Sequence, residues 1–233
     1  MGKTLSAKLE GLRRQLLVVG ALAGESLEQA RRAFLAGDVA LAQEVRENDR
    51  LLNQAEIALE ESCLAVLALF QPVAGDLRQV ITILKINNDL ERIGDLCVKI
   101  ALKVAPMAAA ARLGGQAGPA QTPPELVQMF VKVAALLSQS LDAFVHFDVD
   151  LAHRVRLWDD EVDRMKGAIR ARIEEIMQRS PERYAQLNIL LGVSRGLERI
   201  ADHATNIAED VIYMQQGAIV RHRPEPGDAA AGA

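Results

Sequence analysis

Aromatic side chains are scarce: one Trp, two Tyr and five Phe in 233 residues. A sheet protein uses Val, Thr, Tyr and Phe to cover its pleated faces. Here Ala and Leu dominate, which points to helices. Cysteine is almost absent. Cys63 and Cys97 have no Cys or His neighbours at zinc spacing, which excludes a thiolate zinc module and a disulfide scaffold. An excess of positive charge is also missing: the net charge is -4, so no broad basic field draws the chain to nucleic acid or anionic lipid. Long apolar runs are absent. Leu16 to Gly24 is the most apolar stretch near the start, and its nine residues fall far short of the roughly 20 that span a bilayer. Met1 to Glu10 carries Lys3, Lys8 and Glu10 without a signal-peptide pattern. These absences predict a cytoplasmic protein with no direct membrane insertion.

Gly and Pro concentrate in two long stretches, Pro106 to Pro124 and Arg223 to Ala233, which read as a linker and a loose end. Shorter breaks fall at Gly37 and Asp38, Gln71 to Gly75, Phe147 and Asp148, and Ser180 and Pro181. They leave six helical segments, three on each side of the linker. The expected division is a first three-helix unit over 1–106, a linker over 107–121, a second unit over 122–217 and a tail over 218–233. Asp38 and Asp148 suit N-caps. Thr122, Pro123 and Glu125 form a capping-box pattern with Pro123 at the first helical position, and Ser180-Pro181 repeats half of it.

The halves repeat each other. At an offset of 110, Asp38–Asn53 matches Asp148–Asp163 at seven of sixteen positions, and at 107, Leu90–Ala101 matches Leu197–Ala208 at seven of twelve. Two blocks in the same order with nearly equal offsets indicate internal duplication. The predicted fold is therefore all-α: two tandem pseudo-symmetric three-helix bundles, each up-down-up with short hairpin turns. A fold at Pro72 also sets Cys63 level with Ile81, sixteen residues before Cys97 and about 24 Å away along a helix, so the two thiols should not pair.

Each unit carries i,i+4 polar pairs that share a helix face: Asp49 with Asn53 and Glu91 with Asp95, then Asp159 with Asp163 and Glu198 with Asp202. Folding the first hairpin at Pro72 and the second between Ser180 and Pro181 brings each set of four to about one height. Like charges stacked in this way repel, and a cation between them would relieve the repulsion. Oxygen donors suit a hard cation, iron or manganese rather than zinc in a thiolate site. On the last helix Glu198, Asp202, Asn206 and Glu209 fall within about 80 degrees, opposite the apolar Ile200, Ala204, Ile207 and Val211.

Gln71-Pro72-Val73-Ala74-Gly75-Asp76-Leu77-Arg78, followed by Lys85-Ile86-Asn87-Asn88-Asp89-Leu90-Glu91-Arg92-Ile93-Gly94-Asp95, closely resembles the PhoU family of phosphate-signalling proteins. Leu197 to Ala208, with Asp202, His203 and Asn206, looks like that family's second repeat. The resemblance implies two symmetric three-helix bundles, a cytoplasmic homodimer, and acidic motifs holding multinuclear metal clusters, often iron, with manganese, zinc or magnesium as alternatives. It further implies a negative regulator, not an enzyme, acting between the ATPase of the phosphate ABC transporter and a sensor histidine kinase.

The candidate metal ligands are thus Asp159, Asp163, Glu198 and Asp202 in the second unit and Asp49, Glu91 and Asp95 in the first, with Asn53, His203, Asn206 and Glu209 as further candidates. The units differ. Asn53 stands where a carboxylate is wanted, and Lys99, Leu102 and Lys103 replace Asn206, Glu209 and Asp210, so the second unit is expected to bind metal more tightly. Against this, Glu56 and Glu60 continue the first acidic face where the second has Lys166 and Arg170. Two other readings remain: a carboxylate-bridged metal enzyme, disfavoured because no Glu is followed by a His three residues on, and a metal-free helical scaffold.

Overall fold

The computed structural model describes residues 2–113 and 121–220. Among them are six long helices and a short one: α1 Gly2–Ala36, α2 Val39–Phe70, α3 Ala74–Ala101, α4 Val104–Leu113, α5 Pro124–His146, α6 Val149–Arg179 and α7 Tyr184–Gln216. No strand occurs among the described residues.

The turns fall at the sequence breaks. Asp38 and Asp148 cap α2 and α6, their carboxylates accepting from Leu41 N at 3.0 Å and Leu151 N at 2.8 Å. The residue before each cap is left-handed, with φ 67° at Gly37 and 54° at Phe147. Glycine adopts that conformation freely and phenylalanine does not. Phe147 is held there with its ring beneath the Arg13 guanidinium, 4.4 Å from the ring centre.

Two boundaries differ from expectation. Helix α5 begins at Pro124, with Pro123 in extended backbone before it and no side-chain cap. A proline disfavours helical conformation in the residue preceding it, so Pro123 cannot be the first helical residue when Pro124 follows. Glu125 then pairs with Arg172 of α6 at 2.7 Å instead of closing a capping box. Similarly, Ser180 makes no side-chain cap; a 3-10 turn, Pro181–Arg183, intervenes before α7. A further departure is α4, which covers 107–113 of the expected linker. Pro106 is its third residue, where the missing N–H costs no helical hydrogen bond. Gln186 of α7 fastens α4 by donating to the Ala110 carbonyl at 3.2 Å. Residues 114–120 of the linker and 221–233 of the tail lie outside the described residues.

α1, α2 and α3 pack as one antiparallel bundle and α5, α6 and α7 as another. The bundles join chiefly through α3 against α7, with α1 against α5 beside them. Hence α2 and α6 lie on the outer flanks. The cores are aliphatic: Leu16, Leu52, Leu59, Ile83, Ile86, Leu90 and Ile93 are buried in the first bundle, and Val162, Ile169, Leu190, Leu197, Ile200 and Ile207 in the second, with Phe34 and Phe130 meeting at 6.2 Å between α1 and α5. Cys63 and Cys97 are both buried and free. Burial pushes the Cys63 thiol up to about 12 and raises that of Cys97 as well, so neither is a reactive thiolate. By length and composition α5 could cross a membrane, but its apolar face, including Leu126, Phe130, Val133 and Leu137, is core.

Candidate metal centres

In the first bundle the α2–α3 hairpin brings Asp49, Glu91 and Asp95 together. Burial raises the Asp49 carboxyl above its usual range, and the Asp95 charge adds to this while the Asn53 amide opposes it by donating to Oδ2 at 3.0 Å. The other oxygen, Oδ1, is buried and accepts no hydrogen bond. Glu91 is raised by burial and then by Asp95 and Asp49. The helices meet closely here because residue 94 is glycine: a Cβ would lie 2.9 Å from Leu52 Cδ1 and 3.4 Å from Asp49 Oδ1. The cluster is larger than Asp49, Glu91 and Asp95, because Glu56 belongs to it. Its carboxyl is raised by burial and by the charges of Glu60 and Glu91, and it accepts from buried Asn87 at 3.2 Å. Arg92 reaches Glu91 at 3.2 Å and Asp95 at 3.5 Å, and Lys99 reaches Asp95 at 3.8 Å. Both cations are more than half exposed, and such surface pairs contribute little.

In the second bundle Asp159, Asp163, Glu198 and Asp202 face one another across the α6–α7 hairpin. Asp159 is the most perturbed: burial, then Asp202, Asp163 and Asp160, push its carboxyl up to about 6, with the Thr205 hydroxyl opposing the shift. Asp202 is raised by partial burial and then by Glu198 and Asp163. Glu198 is engaged by Lys166 of α6 in a short charged contact. Trp158, beside Asp159, packs against the core under Lys132, as a lone Trp normally does.

The polar side of α7 is divided. Glu198, Asp202, Thr205 and Glu209 face α6, where Glu209 meets Arg156 at 3.3 Å. His203, Asn206 and Asp210, about 100 degrees around, face α3 instead. His203 Nδ1 lies 2.7 Å from Asp89 Oδ1, and Asn206 donates to the same oxygen at 3.4 Å. Lys85 donates to Asp210 at 3.1 Å. The sequence expectation that His203 and Asn206 join the second cluster therefore does not match this placement. They belong to the seam between bundles, because a helix with two neighbours shares its polar stripe between them. Thr205 and Asp89 had no sequence signal as single residues, since each contributes only through a partner on another helix, and Glu56, which continues the acidic face in the sequence, comes beside Glu91 only through the packing of α2 on α3.

As the side chains stand, no group of three His, Cys, Asp or Glu among the described residues encloses a metal ion. The donor chemistry nevertheless fits one. Both clusters offer hard oxygen ligands whose charges repel, and Asp49 presents a buried oxygen without a partner. Internal cations and amides hold these carboxylates in the metal-free form.

A helical hairpin with acidic residues on both arms, repeated in two tandem three-helix bundles, defines a class of duplicated all-α bundle proteins, and known proteins share the fold. The PhoU domain family matches twice, over residues 16–104 and 126–211, one match to each bundle. The phosphate-specific transport system accessory protein PhoU homolog of Pseudomonas aeruginosa is 38% identical over 223 residues, covering 95% of this chain and 89% of the relative. The accessory protein PhoU of Escherichia coli is 33% identical over 218 residues, 93% of this chain and 87% of its own length. Among solved structures, PhoU from Pseudomonas aeruginosa superposes with a TM-score of 0.83 at 36% identity, over 91% of this chain and 99% of that one, and the PhoU phosphate transport regulatory protein from Streptococcus pneumoniae with 0.84 at 29%, over 93% and 99%. The chain belongs to the PhoU domain family.

Proposed function

We propose that this protein is a metal-binding regulatory adaptor of phosphate uptake and phosphate-starvation signalling. It acts in the cytoplasm as a negative regulator, between the ATPase of a phosphate ABC transporter and a sensor histidine kinase. The names of its relatives support the link to phosphate transport. The observation that carries the metal reading is Asp159, held near 6 by burial among other carboxylates, an arrangement that a bound cation would relieve. Asp159, Asp163, Glu198 and Asp202 hold the second site, and Asp49, Glu91 and Asp95 the first, with Glu56 beside them. Iron, in a multinuclear cluster, or manganese, zinc or magnesium would supply positive charge there and tie the outer helix to its neighbour. No Ser/His/Asp constellation or Glu-x-x-His step gives the site a catalytic group, so the expected role is not enzymatic.

The reading includes a homodimer, which the exposed Val18 and Val131 on the outer faces of α1 and α5 support. Light scattering on the 25.4 kDa chain should give the mass of a dimer; a stable monomer at tens of micromolar would refute this. The regulatory role is tested by deleting the gene and measuring alkaline phosphatase in phosphate-rich medium. Derepression is expected, and unchanged repression would rule the role out.

A further inference from the structure

Between the repeats, one position against the carboxylate cluster changes sign. Lys166 stands 110 residues after Glu56, so the second repeat places an ammonium where the first has a carboxylate. Its Nζ crosses from α6 to α7 and donates to Glu198 Oε1, in a pair whose side chains are 36% and 22% exposed. Arg170, one turn further along α6, turns aside to Glu174 at 2.8 Å. The cations of the first cluster are placed differently. Arg92 and Lys99 belong to α3, the same helix as the carboxylates they meet, and lie out on its surface.

We propose that Lys166 is a tethered counter-ion of the second carboxylate cluster, competing with a divalent cation for Glu198 and released from it when the metal loads. This rests on the metal reading above. The ammonium and the metal require the same acceptor, and a carboxylate oxygen already donated to by Lys166 is a poorer ligand. Metal entry therefore breaks one ion pair and forms another. Lys166 sets the affinity of the second site, and loading frees a positive side chain on the outer flank of α6, where a partner can read it. The four-carbon stem and partial exposure let the ammonium swing to water without moving the helix.

Trp158 is the only tryptophan and adjoins Asp159, so its fluorescence reports the second site and not the first. The test is titration of the chelator-stripped full chain with Mn2+, following Trp158 quenching together with the free Mn2+ signal by electron paramagnetic resonance. Lys166→Gln should lower the half-saturating Mn2+ concentration about tenfold, since one site charge is removed, while Lys166→Arg should stay near wild type. In the unmodified chain, acylation of Lys166 followed by mass spectrometry should quicken when Mn2+ saturates Trp158. An unshifted or weaker titration in a helical Lys166→Gln protein overturns the proposal, as does an acylation rate indifferent to Mn2+. If no form of the protein takes up Mn2+ by either signal, the metal reading itself falls, and this inference with it.

Discussion

At the residue scale, five carboxylates of the two clusters share one departure: Asp49, Glu56, Glu91, Asp159 and Asp202 are raised, with burial as the leading cause. A carboxyl raised in the folded state binds its proton more tightly there than in the unfolded chain, where an Asp titrates near 3.9. The contribution of these groups to the stability of the metal-free protein is therefore fully present at and below that pH and is lost as pH rises to about 6, where Asp159 ionises in the fold. Thermal unfolding of stripped protein followed by circular dichroism should show this decline between about pH 4 and 6, with saturating metal removing it. Asp159→Asn should raise the melting temperature of stripped protein at pH 7 by roughly 2 °C and weaken metal binding. A lower melting temperature would mean that the carboxylate is satisfied without a metal.

At the element scale, the hairpins decide what the carboxylates can do, and the closeness of α2 to α3 depends on Gly94. In the second repeat the matching position is Ala201, fully buried and accommodated. Gly94→Ala gains helix propensity while crowding Leu52, two effects of similar size, whereas Gly94→Val should cost about 2 kcal/mol by overpacking a buried contact; urea denaturation measures it. The hairpins should also differ in metal affinity. The second offers four carboxylates, Asp159, Asp163, Glu198 and Asp202, with Lys166 on Glu198, while the first offers Asp49, Glu91 and Asp95, with Asn53 on Asp49 and Arg92 and Lys99 on Asp95. Metal analysis of purified variants should find a larger loss in Asp202→Ala than in Asp95→Ala, and an equal or reversed loss would invert the ranking. The pairing across each hairpin was legible beforehand, because 49 and 95 are equidistant from the turn at residue 72. Glu56 was legible as a face but not as a neighbour of Glu91, which depends on how the two helices are rotated against each other.

At the scale of the whole molecule, the bundles are joined by a seam of unequal ends. Near one end Lys85 meets Asp210, whose side chain is 2% exposed, and Asp89 meets His203 and Asn206. Near the other, the symmetry-related contact sets Lys103 over Gly192, where a Cβ would lie 2.9 Å from Nζ. Lys85→Met removes a charge partner from a buried carboxylate and should cost about 1.5 kcal/mol in urea denaturation, less than for a fully buried pair because the Lys85 side chain is 39% exposed. Restoring an apolar match with Lys85→Met and Asp210→Leu together should recover much of it, and a neutral Lys85→Met would show that other partners carry Asp210. None of this seam was read from the chain. The tandem bundles, the turns at Gly37, Pro72, Phe147 and Ser180, and the acidic pairs on facing arms follow from periodicity, capping chemistry and repetition, which are local or self-similar signals that one chain carries by itself. The division of α7 between α6 and α3, the engagement of Glu198 by Lys166 and the diversion of His203 to Asp89 were settled only by tertiary packing. Helical periodicity says which residues share a face; which neighbour that face meets depends on the rotation and separation of helices far apart in sequence.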